Sequence, residues 1–401
     1  MIPGIINRQL SIGIMVCILT LTSRSFGLDY DIIASYDRAI PDKWAHSPSN
    51  FSAFLVRSDT VYAGLPWGIY TVFKEYSRND SGKVNISLSY RILKPNGTLY
   101  RDSSRINAID GFTGRDSGML LSRYVPVILF SGKDQIGKYK IIVTATDGTT
   151  KSRTTRECAV ILSNYPRNDV NRFDETSFNV WVHSYCIEPD PGRAIEAFYF
   201  FIESDLSNND AIFWPVFYFF QCLFSDNPSL VEKLCLNFSG CSQRLQEYTV
   251  FLLRSIQVKR TPVNSSIPDS LWKKFDKVAE PGFYDPFTYA FKVQSNRFIE
   301  FGFYYYGRYS MIRFLIECLG LNTSVGYDVF LANCNVYSNE CKKHLDQETA
   351  SHFYSDARKI LAKIYSKHVL ARAYCDFADE KDNIGTHARG ALKEIISLPK
   401  K

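Results

Sequence analysis

Hydrophobic and polar positions alternate with period two up to about residue 165 and recur every three to four residues beyond it. In VNISLSYRIL, residues 84–93, Val84, Ile86, Leu88, Tyr90 and Ile92 fall on one side, and Asn85, Ser87, Ser89 and Arg91 on the other. One apolar and one wet face is the pattern of a half-buried strand. Lys94-Pro95-Asn96-Gly97 follows and TLY resumes; proline presets a turn dihedral and glycine accepts a left-handed one. Similar patterns predict strands at IYTVFKEY (69–76), YVPVILF (124–130), KYKIIVTATD (138–147) and CAVIL (158–162). Pro126 marks an edge or bulge, because proline has no ladder N–H. Strands at this spacing with no helical periodicity between them predict an antiparallel β-sandwich over residues 28–165.

Residues 166–401 read as all-α. Asp190 and Pro191 form a cap and first-turn proline, and Ile195, Phe198, Tyr199 and Ile202 make one apolar face. Further helices are expected over 213–224, around Leu230, Val231 and Leu234, and around Tyr248, Phe251 and Leu252. Phe353, Ile360, Leu361, Ile364, Val369 and Ala373 predict one long amphipathic helix in the tail. In FIEFGFYYYGRYSMIRFLIECLG, Gly307 should end an aromatic helix and Ser310 should cap an aliphatic one. VFYFFQCLFSDNPSLVEKLCLNF has the same order, so the region is expected to stack helical hairpins. The expected fold class is therefore α+β in two domains.

The first 27 residues follow the order of a cleaved secretory leader. Arg8 precedes an apolar stretch from Ile12 to Leu21, and Ser25-Phe26-Gly27 offers small residues at the cleavage positions. That stretch is half the roughly 20 apolar residues a span needs. The chain is thus expected to be secreted or periplasmic, starting near Leu28, with no membrane span once the leader is gone. Loss of Arg8 and Arg24 takes the formal charge from +6 to +4, with both signs mixed along the chain. No clustered basic stripe for nucleic acid exists. Hydrophobic residues at 45% exclude whole-chain disorder.

LSYRILKPNGTLY followed by FSGKDQIGKYKIIVTATDG resembles immunoglobulin-like modules of bacterial secreted proteins. Gly137, Tyr139, Ile141, Val143, Ala145 and Asp147 match the penultimate strand of such modules. Cys158 is the module's only cysteine, so it lacks the intersheet disulfide of antibody domains. RAIEAFYFFIESD, FYFFQCLFSDNPSLVEKLC and FIEFGFYYYGRYSMIRFLIECLG are similar to a secreted bacterial helical family with no assigned activity. These resemblances imply a fold and no mechanism. The layout is also similar to some cellulases, whose helical barrels need about a dozen helices, against roughly eight to ten short ones expected here.

Nine cysteines follow the leader, and an oxidising compartment favours pairing. Cys235 with Cys241 and Cys334 with Cys341 each bracket a short turn-rich loop, and both pairs are expected to bridge. No CxxC, HExxH, GxSxG or phosphate-binding glycine loop occurs, so no metal, cofactor or catalytic residue is assigned. His344, His352, His368, Asp346 and Asp356 read as a solvated helix face. Glu188, Asp190 and their acidic neighbours in the first helices read as caps and surface charges. Tyr304, Tyr305 and Tyr306 occupy consecutive helical positions spanning about 200°, wider than a buried stripe of about 100°. At least one ring should therefore be exposed and, with Arg308, contact a protein or polysaccharide. The function expected is a non-enzymatic interaction protein of unknown ligand. The alternative is a hydrolase of envelope or extracellular polymers with its site in the helical domain.

Overall fold

The computed structural model describes residues 28–45, 57–111, 118–163, 173–260, 264–275, 285–338 and 341–398. The expected leader and the expected boundary near residue 165 lie outside the described residues.

The chain is mixed α+β. Its strand-rich part runs β1 (Asp29–Ser35), helix α1 (Ile40–Ala45), β2 (Thr60–Tyr62), β3 (Trp67–Glu75), β4 (Val84–Leu93) and β5 (Leu99–Gly111). It continues with β6 (Leu120–Leu121), β7 (Val127–Ile128), β8 (Gly137–Asp147) and β9 (Arg153–Ser163). One sheet has the order β1-β3-β6, with β7 also paired to β3; the other has the order β2-β9-β8-β4-β5. All pairings are antiparallel except β2 with β9. The alternating face of β4 is buried as its sequence demands. It shares one core with Tyr30 and Ile32 of β1, Ile69 and Phe73 of β3, and Tyr139, Ile141 and Val143 of β8. The Tyr30 hydroxyl reaches from one sheet to the other, donating to the Val143 carbonyl at 2.6 Å. YVPVILF yields only the two residues of β7; Pro126 stays outside the strand, and its carbonyl accepts from the Ile69 N–H at 3.0 Å.

The remainder is helical: α2 (Glu175–Ser184), α3 (Ala194–Glu203), α4 (Asp210–Asp226), α5 (Pro228–Leu236), α6 (Gln243–Ser255), α7 (Asp269–Lys274) and α8 (Pro286–Val293). Then come α9 (Arg297–Tyr306), α10 (Tyr309–Cys318), α11 (Ser324–Asn333), α12 (Cys341–His344), α13 (Gln347–Lys367), α14 (Val369–Glu380) and α15 (Thr386–Ile396). The fourteen α-helices, α2 to α15, among the described residues of this part exceed the eight to ten expected, because many are only two or three turns long. α4 is buried almost all round, with Phe213, Phe217, Tyr218, Phe219, Phe220 and Phe224 inside. It is an interior helix, and no described helix is long and apolar enough to cross a membrane.

Three local expectations are corrected. The tail is two helices, because His368 ends α13 and caps α14, its ring Nδ1 accepting from the Ala371 N–H at 3.3 Å. Ser310 does not cap α10; Asp42 of α1 does so from 267 residues upstream, its carboxylate accepting from the Tyr309 N–H at 2.8 Å. Of the two cysteine couples only Cys334 and Cys341 are bonded, with Cα atoms 6.1 Å apart. Cys235 and Cys241 are separate thiols. A short 3-10 turn, Phe238–Gly240, carries the chain round between them. Cys235 is thereby left in a small core with Phe238 and Trp272, while Cys241 turns to the Tyr199 hydroxyl at 3.5 Å.

Candidate functional site

The tyrosine corner follows from where α9 must stop. Gly307 adopts the left-handed conformation, φ 61°, and its N–H bonds back to the Phe303 carbonyl. Only two residues then separate α9 from α10, and the three tyrosines before the bend fan out in three directions.

Tyr304 points inward. Its hydroxyl donates to Glu300 at 2.8 Å, one turn back, and its ring meets His183 edge-on at 4.5 Å. Glu300 is itself buried and paired with Lys363 at 2.8 Å. Tyr305 stacks on Tyr185 at 5.6 Å and donates to Asp226 at 2.8 Å. Tyr306 lies edge-on to Tyr305 at 4.6 Å, with the Arg308 guanidinium 4.7 Å over its ring. Burial pushes all three phenols above their ordinary pKa, so they act as protonated donors. The expected exposed ring is therefore absent: Tyr304 is buried, and Tyr305 and Tyr306 are half-buried. The fan is as wide as expected, but other chain covers part of it.

That cover creates a cleft of about 320 Å³. Tyr36, Arg38, Ala39 and Pro66 of the strand-rich part form one wall. Tyr185, Asp226, Tyr305, Tyr306 and Arg308 of the helical part form the other, with Pro189 and Pro191 at the rim. Three of the four residues singled out from sequence thus meet here, and Tyr304 does not.

Beneath the cleft is a buried ion pair that sequence reasoning missed. Lys43 Nζ lies 2.5 Å from the Asp37 carboxylate, with side chains 1% and 3% exposed. Lys43 also donates to the Cys186 carbonyl. The other Asp37 oxygen accepts from the Ala39 N–H at 2.9 Å. Burial pushes the Asp37 carboxyl up, with the Lys43 charge opposing. A lysine on a six-residue helix carries no sequence signal for such a role.

A thiol and an imidazole also meet nearby, Cys186 Sγ and His368 Nε2 at 3.5 Å. They are not arranged as a nucleophile and its base. Burial pushes the thiol up to about 12 and the imidazole down to about 4, so both stay neutral. A reactive cysteine needs the opposite displacements. His368 Nδ1 already accepts the Ala371 N–H, which leaves the ring proton on Nε2, facing the thiol it would have to deprotonate. His344 is half-buried and His352 exposed, and no metal-holding cluster exists among the described residues.

The buried imidazole has a pH consequence. Its folded pKa lies below the ordinary 6.5, so the unfolded chain binds a proton that the folded chain refuses. That contribution to stability is complete above pH 6.5 and is lost as pH falls through about 4; the displacement corresponds to about 3 kcal/mol. His183 is displaced downward too, mainly by burial, and acts in the same sense. His368→Asn keeps a capping acceptor and removes the titration, so denaturant midpoints at pH 7 and 4.5 should differ less than in the parent. An unchanged difference would remove His368 from the acid response.

A larger groove of about 670 Å³ runs past α10, α11 and α15. Its charges are already matched, Arg313 with Glu317 at 3.0 Å and Asp382 at 3.5 Å, so it offers a ligand less than the tyrosine cleft does.

No family model matches the chain, and no curated protein matches it. Among solved structures it is similar to the CARDB domain of a Pyrococcus furiosus protein in complex with di-metal ions. The identity is 14% over 35% of this chain and 95% of that one, with a TM-score of 0.18. It is also similar to a family 123 glycoside hydrolase from Clostridium perfringens, at 14% identity over 44% of this chain and a TM-score of 0.20. The match spans 33% of that enzyme's length. At this level of superposition neither protein's chemistry transfers to this chain.

Proposed function

We propose that this protein is a non-catalytic binding protein of the extracellular space or periplasm, and that the tyrosine cleft receives a polysaccharide. In this reading residues 28–165 form an immunoglobulin-like β-sandwich, the helical hairpins form a second domain, and the cleft lies between them. The observation that carries it is the lining. Aromatic rings, prolines and a few polar groups converge on one concavity of about 320 Å³, the composition of small-ligand sites. The polar groups beneath the cleft support binding more than turnover, since Asp37 is held by Lys43 and by backbone, and the Cys186–His368 pair is neutral.

The alternative, a polymer hydrolase, has one observation in its favour: Asp37 and Asp226 both line the cleft. A two-carboxylate mechanism needs an acid and a base open to substrate, and Asp37 is buried with both oxygens engaged.

The test is depletion of the protein from solution by insoluble plant and bacterial wall polysaccharides, with reducing ends counted before and after. Saturable binding with no new ends is expected. Ala39→Trp, which fills the cleft from its half-buried rim, should abolish binding with a melting temperature within about 2 °C of the parent. New reducing ends lost in Asp226→Asn would favour the hydrolase. Binding that survives Ala39→Trp would remove the cleft from the function.

A further inference from the structure

Several guanidiniums of the described chain are matched by carboxylates: Arg156 with Asp29, Arg193 with Glu196, Arg260 with Asp269, and Arg358 with Glu394. Arg38 and Arg308 are not. Both are exposed, both line the tyrosine cleft, and neither has an ion-pair or hydrogen-bond partner among the described residues. They come from opposite walls, Arg38 just before α1 and Arg308 at the α9–α10 bend. The Tyr306 ring beneath Arg308 supports its guanidinium from one face and leaves its N–H fork unoccupied.

We infer that the cleft takes a uronic-acid-bearing glycan, its carboxylate held by Arg38 and Arg308, a ring hydroxyl by Asp226, and its apolar sugar face by Tyr306. The inference rests on the cleft being the polysaccharide site proposed above.

Charge selects the anion. Lys43 cancels Asp37 under the floor, so Arg38 and Arg308 against Asp226 leave the cleft one positive charge in excess. That suits a monoanionic carboxylate better than a phosphate of nearly two charges. The planar guanidinium fork matches a carboxylate in two parallel hydrogen bonds. Asp226 selects the rest of the ligand. One of its oxygens takes the Tyr305 hydroxyl, and the other has no protein donor among the described residues. An acceptor beside two anion-binding arginines calls for a molecule carrying hydroxyl donors next to its carboxylate. A sugar acid has both, and its ring adds an apolar face for tyrosine. The volume, about 320 Å³, falls at the small end of ligand sites and limits the recognised unit to one or two rings.

The experiment is calorimetric titration of the leaderless chain with oligogalacturonate, oligoalginate and glucuronate-containing oligosaccharides. Each is compared with its methyl ester, which keeps the shape and removes the charge. At least one acid should bind, with its ester weaker by about tenfold or more. Arg38→Gln and Arg308→Gln should each weaken the acid by about tenfold and leave the ester unchanged. Arg91→Gln, on the exposed face of β4, should change neither. Arg308→Lys should also lose the preference for acid over ester, because a point charge cannot replace the fork; it serves if a glutamine variant does not fold. Equal affinity for acid and ester, or arginine variants that bind like the parent, would overturn the inference and leave the cleft reading standing. Binding to neutral oligosaccharides alone would do the same. No binding to any of these glycans, or binding indifferent to Ala39→Trp, would overturn both.

Discussion

Lys43→Met is expected to cost about 3–5 kcal/mol of folding stability, the range for stripping one partner from a buried pair. Methionine nearly fills the volume of the lysine stem, so the loss is electrostatic rather than a cavity. Asp37 stays behind at 3% exposure with its Lys43 partner gone, and the Cys186 carbonyl loses a donor. Lys43→Met/Asp37→Leu should recover much of the loss, because replacing a whole buried pair with apolar groups is often neutral. The deficit of the single variant relative to the parent should also narrow as the solution is acidified from neutral. The Asp37 carboxyl is already raised by burial, and losing the lysine charge raises it further. The folded chain then holds a proton that the unfolded chain releases above about 3.9, so the deficit shrinks as pH falls toward that value. Urea unfolding at two pH values measures both effects. A loss under about 1 kcal/mol would mean that the pair is hydrated and not buried.

Gly307→Val should cost about 2–5 kcal/mol, from two separable sources. A side chain in the left-handed region costs roughly 1–2 kcal/mol, and crowding a packed site typically adds about 1–3 kcal/mol. A Cβ at this position would lie 3.0 Å from both Cys186 Cβ and Lys43 Cε, and 3.3 Å from Leu370 Cδ2. Gly97 provides the control: its φ is also positive, +81°, but nothing lies within 4 Å of the added carbon. Gly97→Ala should therefore show the strain alone, and Gly307→Ala should exceed it. Equal costs at the two glycines would mean that the bend is loosely packed, and the cleft floor with it.

What the sequence revealed was local. The period-two run of β4 was legible to the residue, as was the Gly307 stop, because each depends on dihedral preference and burial within a few positions. The angular argument that three adjacent tyrosines cannot share one face was correct, but its corollary of an exposed ring failed. Tyr36, Arg38 and Pro66, some 240 or more residues earlier, supply the second wall, and no periodicity reports such a meeting. The same limit hid the cap on Tyr309, where a nearby serine was the local candidate and Asp42 fills the role. It also hid the Cys186–His368 contact across 182 residues. At His368 an unbroken apolar pattern concealed a helix end, because the cap is made by one ring nitrogen that hydropathy does not register.

The cap on Tyr309 also bears on how such a chain can diverge. Asp42 begins α10, Lys43 fills the space beside Gly307 and holds Asp37, and Arg38 lines the same cleft as Arg308, so the segment 37–43 is tied to the helices as closely as to the strands that precede it. A recombination joint placed at the visible change of periodicity would separate the helices from that segment. The transplanted helices would inherit an uncapped N-terminus and half a cleft. Shuffled relatives should therefore carry the 37–43 segment along with the helices or have replaced Gly307, and joints that cut between the two should be rare among descendants that retain the cleft.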